Sequence, residues 1–97
     1  MDEIFKALVD KNRRIILSMI KDREMSVNEI VSCLKIGQAT VSNHLLILKK
    51  ANLVVQRIDQ KRHFYKINGE IFSAFVKELS GFINFEPDEL ILRRKSY

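Results

Sequence analysis

Hydrophobic positions recur at helical spacing through the first half of the chain. Ile4, Phe5, Leu8 and Val9 are the first such set and predict a short helix over about 2–9. Asp10 follows as a suitable N-cap, because its carboxylate can accept from the open backbone N–H groups of a new helix. That second helix is predicted from Lys11 to about Lys21, with Ile16, Met19 and Ile20 on its buried side. Asp22 to Met25 reads as a polar break. Ser26 and Glu29 then have the spacing of a capping box, and Val27, Ile30, Val31 and Leu34 carry a third helix to about Lys35.

Gly37 interrupts the pattern and can serve as an N-cap for a fourth helix, Gln38 to Ala51, which turns Val41, Leu45 and Leu48 inward. Its other side carries Gln38, Ala39, Thr40, Ser42, Asn43 and His44 near the N-terminal end. Asn52 suits a left-handed position after the helix. The periodicity then changes. LVVQRID and RHFYKIN are β-rich runs separated by Gln60 and Lys61, which predicts a hairpin over about 53–68. Asn68-Gly69 punctuates the chain before a last helix over about 70–84, whose apolar stripe (Ile71, Phe72, Phe75, Val76, Leu79, Phe82, Ile83) is wider than a surface helix requires. Pro87 breaks any continuation, leaving 85–97 as a tail without an assigned conformation. The expected fold is mainly α with a small β-hairpin, in the order α-α-α-α-β-β-α, as one domain over 1–97.

Composition narrows the class. The 97 residues are 46% hydrophobic and 30% charged with three Gly and one Pro, a globular balance. No apolar run reaches the length of a membrane span, and the acidic, amphipathic start MDEIFKALVD is unlike a signal peptide, so a cytoplasmic protein without membrane contact is expected. One cysteine, Cys33, allows neither an internal disulfide nor a Cys-rich zinc motif; its place on the third helix suggests core packing.

The net charge of +5 is unevenly distributed. Ile30 to Gly69 holds Lys35, Lys49, Lys50, Arg57, Lys61, Arg62 and Lys66 against Asp59 alone, a local +6, whereas ten basic and eleven acidic residues elsewhere leave −1. A polyanion-binding face is the natural reading. Two short helices joined by a tight turn, the second with small polar residues at its start, form a helix-turn-helix. Gln38 and Asn43 can pair with adenine, Thr40 and Ser42 with bases or phosphates, and the Ala39 methyl can touch thymine. Lys49 and Lys50 can hold phosphate, and Arg57, Lys61, Arg62 and His63 extend the basic surface along the hairpin. Phe64 is expected to pack beneath the hairpin rather than stack on bases.

At these residues the chain resembles the ArsR-type (ArsR/SmtB) winged helix-turn-helix repressors. The run IVSCLKIGQATVSNHLLILKKANLV, the wing KRHFYKI and the upstream DKNRRIIL carry the likeness, over about residues 4–83. The resemblance implies a homodimer formed through the first and last helices, hence through Ile4, Phe5, Leu8, Phe72, Phe75, Val76, Leu79, Phe82 and Ile83. It also implies double-stranded DNA as partner, read as an inverted repeat. Lys61 stands where the family's wing carries Gly, which argues against a tight type I′ turn there. Leu46 lies on a side the family usually leaves polar.

Many members of that family sense a metal through paired Cys in the third helix or through Asp, His and Glu in the last. Here the matching third-helix positions are Ser26 and Asn28, poor ligands for soft metals, and the last helix has no His or Cys. No metal and no cofactor are expected. No nucleophile with an acid-base partner and no phosphate loop is visible, which argues against an enzyme. The alternative reading is a winged-helix protein-interaction module presenting Leu46 and Leu90 to Leu92, or a repressor released by a protein partner or by oxidation of Cys33.

Overall fold

The computed structural model describes residues 1–83, with the backbone alone for Phe82 and Ile83. The expected contributions of the Phe82 and Ile83 side chains, of Leu90 to Leu92 and of the 85–97 tail lie outside the described residues. Five helices and three strands follow in the order α1 (Asp2–Leu8), α2 (Lys11–Ile20), β1 (Met25–Ser26), α3 (Val27–Leu34), α4 (Gln38–Lys50), β2 (Val54–Asp59), β3 (Arg62–Ile67) and α5 (Gly69–Ile83).

Local signals account for most boundaries. Asp10 caps α2 by accepting from the Arg13 backbone N–H at 3.1 Å. Ser26 and Glu29 form the reciprocal capping box of α3, with Glu29 N to Ser26 Oγ at 3.2 Å and Ser26 N to Glu29 Oε1 at 3.0 Å. Lys35 closes α3 in the left-handed region at φ 58°, and Asn52 turns the chain after α4 at φ 61°. Ile16, Ile20, Ile30, Val41, Leu45, Leu48 and Leu53 are fully buried and join α2, α3, α4 and the start of the hairpin in one core. Each contributes about 1.5–3 kcal/mol by leaving water, so α4 is anchored along its inner face.

Three features differ from expectation. The break before α3 contains a third strand. Met25 pairs with Tyr65 and Ser26 with Phe64, giving an antiparallel sheet in the order β1-β3-β2. The hairpin tip is tight despite Lys61. Asp59 pairs with Arg62, and the two loop residues, Gln60 at φ 50° and Lys61 at φ 71°, both take the positive φ of a type I′ turn. The six-residue ladder Val54↔Ile67 to Asp59↔Arg62 holds these side chains in a region they disfavour. Cys33, expected in the core, is exposed, because the inner face of α3 is centred on Ile30.

The sequence DKNRR acquires a physical role in this fold. The last carbonyls of a helix have no partner within it. Arg13 Nε donates to Ala7 O at 2.6 Å and Arg13 Nη2 to Lys6 O at 3.1 Å. Arg14 Nη1 reaches Leu8 O at 2.7 Å and Val9 O at 2.8 Å. Two arginines of α2 thus terminate α1 and fix the angle between the helices.

Candidate nucleic-acid interface

With Val41, Leu45 and Leu48 turned inward, the 3.6-residue repeat places Ala39, Asn43, Leu46 and Lys50 on the outermost stripe of α4, and all four are exposed. Gln38, Ser42 and Lys49 occupy the flank facing the hairpin, where they line a groove of about 550 Å3. Its other walls are Ser26, Val27 and Asn28 from the start of α3 and Gln56, Lys61, Arg62, His63 and Tyr65 from the hairpin. The structure therefore brings the small polar end of α4 and the basic hairpin tip together around one concave surface. Thr40 is exposed on the far flank of α4.

A hydrogen-bonded chain crosses the groove. Lys49 Nζ donates to Gln56 Oε1 at 2.7 Å, and Gln56 Nε2 contacts His63 Nδ1. Lysine only donates, so the Gln56 amide presents its oxygen to Lys49 and its N–H to His63. His63 Nδ1 is then the acceptor and Nε2 carries the ring proton, a donor available to a phosphate or a base edge. Gln56 was not among the expected site residues. Its signal was the strand alternation, which places it on the same sheet face as its partner Tyr65 and as His63.

Two expected site residues lie elsewhere. His44 is buried at 8% exposure, because its place three residues after Val41 and four before Leu48 turns it to the inner flank of α4. Arg13 Nη1 lies 3.3 Å from its Nδ1, and Asp10 Oδ1 lies 3.8 Å from its Nε2. A guanidinium only donates, so Nδ1 accepts and Nε2–H faces Asp10. His44 thus ties α4 to the α1–α2 junction rather than facing DNA. Arg57 is on the sheet face away from the groove, where Nε and Nη2 grip Glu24 at 3.1 and 2.6 Å and Nη1 lies 3.5 Å from Asp59. Its charge is largely matched within the protein.

Phe64 is half-buried, with the guanidinium carbons of Arg57 and Arg62 4.7 and 5.0 Å from its ring centre. It supports the wing arginines as a cation–π platform.

Three carboxylates are held below their ordinary values by these contacts. Asp10 is lowered chiefly by the Arg13 backbone N–H, Glu24 by the Arg57 guanidinium and Glu29 by the Ser26 backbone N–H. A depressed carboxylate contributes its stability above its unfolded-state value and loses it as pH falls through the folded one. The urea midpoint should therefore fall on acidification below about pH 4, where unfolded carboxylates titrate. A midpoint that is unchanged or rises between pH 5 and pH 3 would contradict these contacts.

The sequence pattern of the bacterial regulatory protein, arsR family, matches residues 10–55, which span the second helix to the start of the wing. An HTH-type transcriptional regulator of Methanocaldococcus jannaschii, MJ1325, is 40% identical over 76 residues, covering 77% of this chain and 85% of that protein. The chain belongs to the ArsR family. The transcriptional repressor SdpR of Bacillus subtilis is 29% identical over 90 residues, 93% of this chain and 100% of its own. Among solved structures, the homodimeric winged helix-turn-helix DNA-binding domain Mb0332 of Mycobacterium bovis superposes with a TM-score of 0.70 at 26% identity, covering 86% of this chain and 77% of that one.

As an ArsR-family protein the chain is a DNA-binding transcriptional regulator and not an enzyme. Its fold is the family's winged helix-turn-helix, with α3 and α4 as the helix pair and β2–β3 as the wing. Among the described residues, no group of three or more His, Cys, Asp or Glu is placed to hold a metal ion. No helix among them is long and apolar enough to cross a membrane.

Proposed function

We propose that this ArsR-family protein is a cytoplasmic repressor that binds an inverted-repeat operator as a homodimer and takes no metal ion at the family's usual positions. The observation that carries this reading is the single concave face shared by Gln38, Ser42 and Lys49 of α4 and Lys61, Arg62 and His63 of the wing. Base readout falls to Gln38, Ala39, Thr40, Ser42 and Asn43, while Lys49, Lys50, Lys61, Arg62 and His63 hold the backbone. Two such faces related by a two-fold axis read half-sites about one helical turn, roughly 34 Å, apart. The repressor SdpR supports the direction of regulation, and Ser26 and Asn28, poor soft-metal ligands, support the absence of a metal input.

A gel shift on the region upstream of the protein's own gene should show binding that weakens steeply with salt and exceeds binding to scrambled DNA. Equal affinity for both duplexes would refute sequence-specific repression.

Dimerisation through α1 and α5 is supported by the homodimeric relative and by apolar side chains left on these helices. Phe5 meets Phe75 edge to face at 5.5 Å, yet Phe5 remains 41% and Val76 58% exposed. Ile4, Leu8 and Phe72 pack partly against the protomer's own core, and Leu79 is half-buried. Val76→Glu should shift sedimentation at micromolar concentration from dimer to monomer with little change in helix content, because a charge at the centre of an apolar interface loses its hydration. A variant that sediments like the wild type would exclude α5 as the interface.

A further inference from the structure

Leu46 is the one large apolar side chain on the outermost stripe of α4. It is 46% exposed, lies one helical turn beyond Asn43 and one before Lys50, and borders the groove. Its neighbours on the exposed surface, Ser42, Asn43, Lys49 and Lys50, are polar or basic. It is not part of the core, to which α4 contributes Val41, Leu45 and Leu48 with Ile47 partly buried against them. A leucine at that place gains free energy only when something apolar meets it.

The edges of the major groove offer one aliphatic group, the C5-methyl of thymine; every other feature there is a hydrogen-bond donor or acceptor. We infer that Leu46 is a specificity-determining residue that packs on a thymine methyl, adding an apolar contact to the polar readout by Gln38 and Asn43. The stripe has the geometry for this. Asn43 and Leu46, three residues apart, are separated by a rise of about 4.5 Å, between one and two of the 3.4 Å steps between bases along a strand. Asn43 and Leu46 therefore face successive or next-but-one base pairs. The small Ala39 at the other end of the stripe lets the helix approach closely enough for Leu46 to reach the groove floor. The inference rests on α4 being the DNA-reading helix.

The test uses the full chain and a duplex recovered by selecting bound sites from random DNA. Each thymine is replaced in turn by uracil, which removes the methyl group and leaves base pairing intact. Affinity is measured at one fixed salt concentration. One thymine in each half-site should show a roughly fourfold loss on this replacement, the size expected for withdrawing one methyl from an apolar contact. Leu46→Ala should bind the thymine duplex more weakly and no longer distinguish it from the uracil duplex. Its thermal unfolding should stay at the wild-type midpoint, since the side chain is exposed.

Indifference of the wild type to every uracil replacement would overturn the inference. So would a penalty that persists undiminished in Leu46→Ala, because another side chain would then hold the methyl. Failure to select any sequence would overturn the DNA-reading function itself and this inference with it, an outcome distinct from tight binding that ignores uracil.

Discussion

Arg13→Ala should be among the most destabilising single changes in this protein, lowering unfolding free energy by about 2–4 kcal/mol. The guanidinium makes three contacts that no other side chain replaces, to Ala7 O, Lys6 O and His44 Nδ1. Hydrogen bonds to a charged donor are worth about 1.5–3 kcal/mol each where the partner is shielded, and less at the surface. Ala7 is completely buried, so water cannot substitute at its carbonyl without opening the α1–α2 junction. His44 Nδ1, also shielded, would lose its donor as well. The loss should appear in urea unfolding at one fixed protomer concentration, since a dimer's stability depends on concentration. Arg13→Lys should recover little, because an ammonium cannot span three acceptors as the planar guanidinium does. Arg14→Ala should cost less, since both of its hydrogen bonds, to Leu8 O and Val9 O, lie at the surface, where Val9 is 76% exposed and water can replace the guanidinium. A loss below about 1 kcal/mol for Arg13→Ala, or full recovery with lysine, would show that the junction is held by apolar packing alone.

The second large effect concerns DNA and separates two kinds of contact. Asn43→Ala should relax base preference at particular positions by about 1–3 kcal/mol while leaving binding to random DNA almost unchanged. Asn43 is exposed on the outermost stripe of α4, and its amide can donate and accept at once, as adenine recognition demands. Arg62→Ala should weaken binding to all sequences alike and reduce the slope of log affinity against log salt by about one. Arg62 is exposed at the wing tip, with its guanidinium carbon 5.0 Å from the Phe64 ring centre, and the proposed backbone contact is what this variant removes. Competition assays with specific and random duplexes at several salt concentrations would measure both. Equal effects of the two variants on both duplexes would refute the division between readout and anchoring. Arg57→Ala provides an internal comparison. With Glu24 and Asp59 already on it, it should change the salt slope less than Arg62→Ala.

The sequence and the structure agree where the free energy is local. Asp10, Ser26, Glu29 and Asn52 act within one turn of their own position, so caps and ends could be read directly from spacing. Val41, Leu45 and Leu48 follow the helical repeat, which by itself turns Gln38, Ala39, Thr40, Ser42 and Asn43 outward, with His44 the exception. Gln60 and Lys61 as a two-residue loop followed from the lengths of the flanking strands, whereas the turn type did not. A ladder of six pairs between the two strands outweighs the preference of lysine for negative φ, and a local rule does not weigh the ladder.

The disagreements involve partners distant in sequence. His44 and Arg13 are 31 residues apart, and Arg57 and Glu24 are 33 apart. Both misplaced residues are basic or titratable side chains within a basic segment, so composition favoured the DNA face for each. Which way they point depends on the acids and carbonyls that packing brings beside them. Gln56 illustrates the converse, since an unremarkable strand residue becomes the link between helix and wing once Lys49 and His63 stand on either side.

By itself, then, the sequence determined the order of helices, the hairpin, the inward face of α4 and the concentration of positive charge between Ile30 and Gly69, because each depends on propensity, capping or count within a few residues. Only the tertiary structure decided that His44 is buried at the α1–α2 junction, that Arg57 is matched by Glu24 and that Gln56 joins Lys49 to His63. Those outcomes follow from the desolvation of polar groups, which makes a buried or half-buried donor take whichever acceptor the packed chain sets beside it.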